Sequence, residues 1–416
     1  MQKQRTFSKN FLILFSGNGV GQILPLLFAP IIGRLFLEEE MGTLANFIGL
    51  AGMISIIAGG RYEMAIVLPS DKSRAMNLFA LATRIAVVVT ILSGLFYFFR
   101  EPIGRFYKDD SIADLMLLLI VAIPLYGFTN FFTQWLNRES KYKSLTYSGI
   151  ARSAFISVFT ILFGYASMGA MGLALGTLVG LLVALVLMII SANASLDFSL
   201  VSRKGMTDVA KEYKDFPMIN SAHAFVDLLF GQFILYAIIT REFGAIELGL
   251  FYMMARYLLA SMKAIGGSVG QLYYKEASDS YSSGSDVSVV FRKSVKLVLY
   301  FAVPVLLVIL FFGPEIFGWY LGDRYEKSGV LAQIMIIPYF INFVVSPVSA
   351  TPIIYRKQGL AFVFSLLSYV FGILAIVFGN YYKLDFYETI KIYAAVQTVY
   401  YLWLFIWYYS LTRSKK

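Results

Sequence analysis

AMGLALGTLVGLLVALVLMIISA, residues 170–192, contains no ionisable side chain. As an α-helix it would be about 34 Å long, enough to cross the ~30 Å hydrocarbon core of a bilayer. Without water in that core, only a helix or a closed barrel strand satisfies its own backbone. This run is continuously apolar rather than alternating, so the helix is the consistent reading.

Stretches of the same kind recur throughout the 416 residues. Approximate helices fall at 10–34, 42–68, 76–99, 112–136, 145–167, 170–192, 217–240, 246–273, 292–313, 329–352, 359–379 and 386–411. The pattern predicts an all-α polytopic membrane protein of about twelve transmembrane helices. Composition agrees: 58% of residues are hydrophobic, 14% are charged and the mean hydropathy is +0.71. A soluble domain carries about 25% charged residues.

The connections sort the cations. Those on the side of the basic N-terminus, with both tails, hold about 21 of the 35 Lys and Arg, against about eight on the opposite side. Positive loops stay cytoplasmic, which predicts a multi-pass protein of the bacterial cytoplasmic (inner) membrane with both termini inside. The formal charge of +10 is thereby a topology signal, and nucleic acid is not an expected partner. Lys3, Arg5 and Lys9 precede an apolar segment long enough to span, with no small-residue cleavage site, so it reads as an uncleaved first helix. Cysteine is absent and His223 is the single histidine, which excludes thiolate and multi-histidine metal sites. No cofactor is expected.

The longest polar stretch lies near the middle, dividing the chain into a lobe over 1–195, a cytoplasmic connector over 196–216 and a lobe over 217–416. The halves share weak similarities. Arg34, Phe36 and Gly42 recur at the spacing of Arg241, Phe243 and Gly249. Ile123-Pro124 with Asn130-Phe131 is matched by Ile337-Pro338 with Asn342-Phe343. Two parallel six-helix repeats would place a substrate between them.

Three segments carry a family likeness: RYEMAIVLP at 61–69, RYLLASMKAIGGSVGQLYYKEA at 256–277, and 317–357, from FGWYLGDRYEKSG to Tyr355-Arg356-Lys357. They resemble the polysaccharide biosynthesis proteins of the Wzx-type, O-antigen repeat-unit flippases. These form a branch of the multidrug/oligosaccharidyl-lipid/polysaccharide exporter superfamily. The resemblance implies two pseudo-symmetric six-helix lobes around a central cavity. It also implies translocation of undecaprenyl-diphosphate-linked repeat units for O-antigen or capsule synthesis. Membrane lipids, a polysaccharide polymerase and chain-length machinery would be the partners.

Ionised groups in hydrocarbon cost about 2.5–3.5 kcal/mol on insertion scales, so they face a cavity or a partner. The candidates for binding a diphosphate headgroup are Arg61, Arg256, Lys263, Arg84 and Arg152, because guanidinium forks match phosphate oxygens. Asn18 and Gln22, at i,i+4 on the first helix, are further candidates for lining the cavity. Asp227 and Glu63 could bind a coupling ion or pair internally, Asp227 with Arg256. Arg61 and Glu63, at i,i+2 on a continuous helix, would not face each other. The glycines of Ser16–Gln22 lack the Walker lysine and the preceding strand of a phosphate loop. No catalytic triad or poised carboxylate pair is visible, and Asp109-Asp110 has no obvious partners, so an enzyme is not expected. A multidrug or small-solute exporter of the same superfamily is the alternative, although such a cavity would be more acidic or apolar.

Overall fold

The computed structural model describes residue 21 and residues 23–413, apart from the side chains of 219–223, 260–265 and 268. The described residues are helical, with no strand. The helices are α1 Ile23–Leu35, α2 Glu38–Ile57, α3 Lys72–Ser93, α4 Asp110–Arg138, α5 Tyr142–Tyr165 and α6 Gly169–Ala192. They continue as α7 Ala224–Phe243, α8 Ala245–Ser282, α9 Val287–Leu321, α10 Glu326–Val345, α11 Gln358–Tyr381 and α12 Phe386–Arg413. Ten membrane spans qualify among the described residues by length and hydropathy. The described part of α1 is shorter than a span, and α8 does not reach the criterion.

Contacts divide the chain into a unit ending at Ile246 and a unit beginning at Glu247. In the first, α5 and α6 run together along a glycine stripe. A Cβ on Gly176 would stand 2.8 Å from the Thr160 amide nitrogen, and one on Gly180 would stand 2.7 Å from the Arg152 carbonyl oxygen. Small residues permit this approach where apolar burial supplies no drive between helices. α4 packs on α2, α3 and α6, with Phe79 edge-on to Phe132 and Trp135 at 5.3 and 5.7 Å. α7 packs on α2, where buried Asn46 donates to the Thr240 hydroxyl at 2.7 Å.

Several boundaries differ from the sequence expectation. The helix expected over 42–68 breaks after Ile57, and a short helix, Tyr62–Ala65, follows. Gly60 and Arg61, at φ +58° and +59°, turn the chain through the left-handed region between them. The eighth and ninth helices run on to Ser282 and back to Val287, past the expected ends at 273 and 292. At 38 residues, α8 is about 57 Å long and exceeds the bilayer core. Inside α7, a π-helical segment at Leu229–Ile234 interrupts the α-helix.

The connector is folded. Arg203–Glu212 forms a helix that lies on α3. Asn77 on α3 donates to the Leu200 carbonyl at 3.1 Å and accepts from the Ser202 amide at 3.0 Å. The Ser202 hydroxyl caps this helix at Gly205, and Glu212 pairs with Arg74 at 3.3 Å.

In the second unit, α9 packs on α10, and α12 packs on α10 and α11. α9 kinks at Phe312 (φ −129°, ψ 19°), two residues before Pro314. Proline has no N–H to give the carbonyl four residues back, here Leu310. Gln333 of α10 supplies the missing donor at 2.9 Å. It gets there because α9 and α10 meet at glycines: a Cβ on Gly313 would stand 2.7 Å from the Gly329 carbonyl oxygen.

Candidate functional site

In the first unit, the break after α2 gathers the chemistry. Glu63 is 4% exposed, and its Oε2 has no hydrogen-bond partner. Room for this carboxylate comes from Gly59, since a Cβ there would meet both Glu63 Oε2 and the Phe131 ring of α4. Arg61 is half-buried, with its Nε enclosed and without a partner. The charge of Arg61 is felt at Glu63. The left-handed turn at Arg61 removes them from a common helix, and the guanidinium draws the Glu63 carboxyl downward. Burial is the larger effect, so this carboxyl, between the α2 and α3 spans, sits above the usual carboxylate range.

Two contacts hold the break in place. The Tyr62 hydroxyl donates to the Ala210 carbonyl of the connector helix at 3.1 Å. Arg138, at the end of α4, donates to the carbonyls of Ile66 (3.3 Å), Pro69 and Ser70 (3.2 Å). A non-glycine residue at positive φ costs roughly 1–3 kcal/mol and persists where its surroundings over-determine it. Sequence reading took Arg138 as a topology charge. Its clamp on the turn joins residues some 70 positions apart and leaves no local pattern.

The other candidates of this unit are dispersed. Arg84 is exposed on α3, and Arg152 is half-buried on α5, where its carbonyl faces Gly180. Asp227 is half-buried just before the π-helical segment and has interactions of its own. Asp109, which had no obvious partner in the sequence, caps α4 at the Ser111 amide (3.0 Å) and accepts from the Thr43 hydroxyl at 2.6 Å. Asn18 and Gln22 lie outside the described residues, as do the side chains of His223 and Lys263.

In the second unit, Arg256 stands eleven residues into α8, about 16 Å from its start. Its guanidinium carbon lies 5.8 Å from the Tyr252 ring centroid and 5.7 Å from that of Tyr257. No carboxylate of the same unit pairs with it among the described residues. Two aromatic faces hold a cation without neutralising it. Tyr257 is held edge-on by Tyr320 of α9 at 6.2 Å. The sequence signal for this pair was Tyr252-x-x-x-Arg256-Tyr257, which places one tyrosine a turn before the arginine and one beside it. The described residues contain no cluster of three or more His, Cys, Asp or Glu suited to a metal ion.

The profile of the family described as "Polysaccharide biosynthesis protein" matches residues 31–330. The chain belongs to this family. Among curated proteins none matches its sequence significantly. Solved structures do share its fold. An inward-facing multidrug resistance MATE family transporter of the MOP superfamily superposes with a TM-score of 0.74 at 15% identity, over 95% of this chain and 96% of that one. The lipid II flippase MurJ, in an inward closed conformation, gives 0.74 at 16% identity, over 95% of this chain and 87% of its own. A MOP superfamily transporter from Pyrococcus furiosus Vc1 gives 0.55 at 13% identity, over 98% and 96%. At such identities the likeness is one of fold. The protein is an all-α multi-pass membrane protein of the MOP transporter fold.

Proposed function

We propose that this protein is a flippase for undecaprenyl-diphosphate-linked oligosaccharide repeat units, serving O-antigen or capsule synthesis at the bacterial cytoplasmic membrane. One observation carries the reading most: Arg256 is a cation eleven residues into the long helix α8, held by tyrosine rings and not neutralised within its unit. A diphosphate headgroup crossing the bilayer needs such a charge, and a guanidinium meets phosphate oxygens bidentately. Arg61, with its enclosed and unpartnered Nε, is a second contact of the same kind. Membership of a polysaccharide biosynthesis family supports the cargo class.

In this reading two pseudo-symmetric lobes, 1–195 and 217–416, alternate access to a cationic cavity. Both termini are cytoplasmic, and Lys263, Arg84, Arg152, Asn18 and Gln22 contribute secondary contacts. Glu63 and Asp227 serve ion coupling or internal charge balance. The protein catalyses no covalent step and works with a polysaccharide polymerase and chain-length machinery. The MATE likeness favours a second reading, a multidrug or small-solute exporter, but the basic lean of its intramembrane charges speaks for an anionic cargo.

Arg256→Ala, expressed at normal level in the membrane, should abolish polymer export and leave lipid-linked repeat units on the cytoplasmic leaflet. Arg256→Lys should restore part of it, because charge survives and the planar fork does not. Full export by a well-expressed Arg256→Ala protein would overturn the assignment.

A further inference from the structure

Between α11 and α12 lies a groove of about 520 Å³, walled by Phe364, Leu367, Phe371, Val396, Val399 and Trp403 among others. Both helices belong to the second unit, and α12 is the long helix on which α11 packs. The groove is almost wholly apolar, and its hydroxyl groups are already spent. Ser368 donates to Gln397 at 3.2 Å, and Tyr400 donates to Ser365 at 3.4 Å. The outer lips, Leu367, Phe371, Val399 and Trp403, are exposed along two membrane spans. Nothing in these walls asks for a polar ligand, and an unfilled hollow would forfeit dispersion contacts. Hydrocarbon is the fitting occupant.

Depth and charge narrow the choice of hydrocarbon. Phe364 stands edge-on to Trp403 and Trp407 at 4.0 and 4.9 Å. Phe364 lies six residues from the start of α11 at Gln358, and Trp407 six from the end of α12 at Arg413. The two ends therefore lie level, and the groove starts about 9 Å below them. On α11 it runs to Phe371, about 20 Å from that end. A bilayer with its headgroups is about 40–45 Å thick, so the groove keeps to one leaflet. A single acyl chain fits this length, and a long polyprenyl chain overruns it.

The level end carries Arg356 and Lys357 just before α11 and Arg413 at the end of α12, all exposed. No carboxylate of the same unit forms an ion pair with them among the described residues, although Arg413 stands within electrostatic reach of Asp286. Basic surfaces between membrane helices recruit anionic headgroups. We propose that the α11–α12 groove is a fixed site for an anionic bilayer phospholipid, with one acyl chain between Phe371 and Trp403 and the headgroup phosphate on Arg356 and Lys357, aided by Arg413. The site is independent of the transported cargo. Its walls select for a chain, and the hairpin end selects for charge.

The test is photocrosslinking of the full-length protein in phosphatidylethanolamine nanodiscs. A benzophenone amino acid is placed at Val399 on the groove or, as reference, at Val303, exposed on α9. The probes are tritiated phosphatidylglycerol and tritiated phosphatidylethanolamine of the same chains, each added as a minor component. Phosphatidylglycerol should label position 399 about tenfold more than position 303. Joint replacement Arg356→Gln, Lys357→Gln and Arg413→Gln should lower this to the phosphatidylethanolamine level. Ala395→Trp, at an exposed wall position, should remove the enrichment by filling the groove. Equal labelling by the two headgroups, or enrichment that survives either set of substitutions, overturns the proposal. So does displacement of the label by undecaprenyl phosphate where phosphatidylglycerol has no effect, which would give the groove to a polyprenyl lipid. A crosslink between two copies through position 399 would give it to a second chain and overturn the proposal equally.

Discussion

Replacing Gln333 with leucine tests how α9 and α10 are joined. The substitution keeps side-chain volume and removes the amide that donates to the Leu310 carbonyl at 2.9 Å. That carbonyl lacks its helical donor because Pro314 stands four residues on. In the hydrocarbon no water replaces the lost donor. Net hydrogen bonds inside membrane proteins average about 0.6 kcal/mol in double-mutant cycles, and a carbonyl left orphaned in hydrocarbon adds to this. Gln333→Leu should therefore cost about 1–2 kcal/mol. In a Pro314→Ala background residue 314 has an N–H again, which can close the helical bond to Leu310. There the same Gln333→Leu change should cost close to nothing, giving a coupling of about 1 kcal/mol. SDS titration of the purified protein in mixed micelles, followed by circular dichroism, measures all four corners of the cycle. Equal costs of Gln333→Leu in both backgrounds would refute the proposition that this side chain substitutes for the missing proline amide.

Gly176→Ala would push a methyl group to 2.8 Å from the Thr160 amide and should cost about 1–3 kcal/mol in the same titration. Gly359→Ala, where nothing stands within 4 Å, should be neutral or slightly stabilising, and equal costs at the two sites would remove the case for a close α5–α6 contact. Burial raises the Glu63 carboxyl more than Arg61 lowers it, so ionised Glu63 disfavours the folded state. The sign follows: stability is highest below the carboxyl's unfolded value and declines as pH rises through the raised folded one. Glu63→Gln should flatten this decline in a pH series of unfolding midpoints; an unchanged slope would contradict it.

The spans were legible in the sequence because hydropathy over some twenty residues is a local property, and the bilayer leaves the backbone few alternatives. Arg256 was legible for the same reason, as an ionised group in an apolar run. What escaped has a non-local cause. The break after α2 depends on two left-handed residues stabilised by Tyr62 reaching Ala210 and by Arg138 reaching back to the turn at Ile66–Ser70. A hydropathy window reads straight through it. The kink at Phe312 was half visible, since Pro314 stands in the sequence, but its stabilisation by Gln333 needs a glycine crossing that only packing creates.

These two irregularities share a physical form. Each interrupts a helix and frees backbone carbonyls, and each is made tolerable by a polar side chain from another helix. Arg138 does this for the carbonyls of Ile66, Pro69 and Ser70, and Gln333 does it for Leu310. The cost of such an arrangement is offset only while the donating helix stays in place. Moving α4 away from the turn, or α10 away from α9, would take these donors from the carbonyls they serve. Displacements that keep α4 with its turn and α9 with α10 avoid this penalty. Under the proposed alternating-access cycle, motion should therefore carry each of these helix pairs as a body, with bending concentrated where no side chain spans the helices.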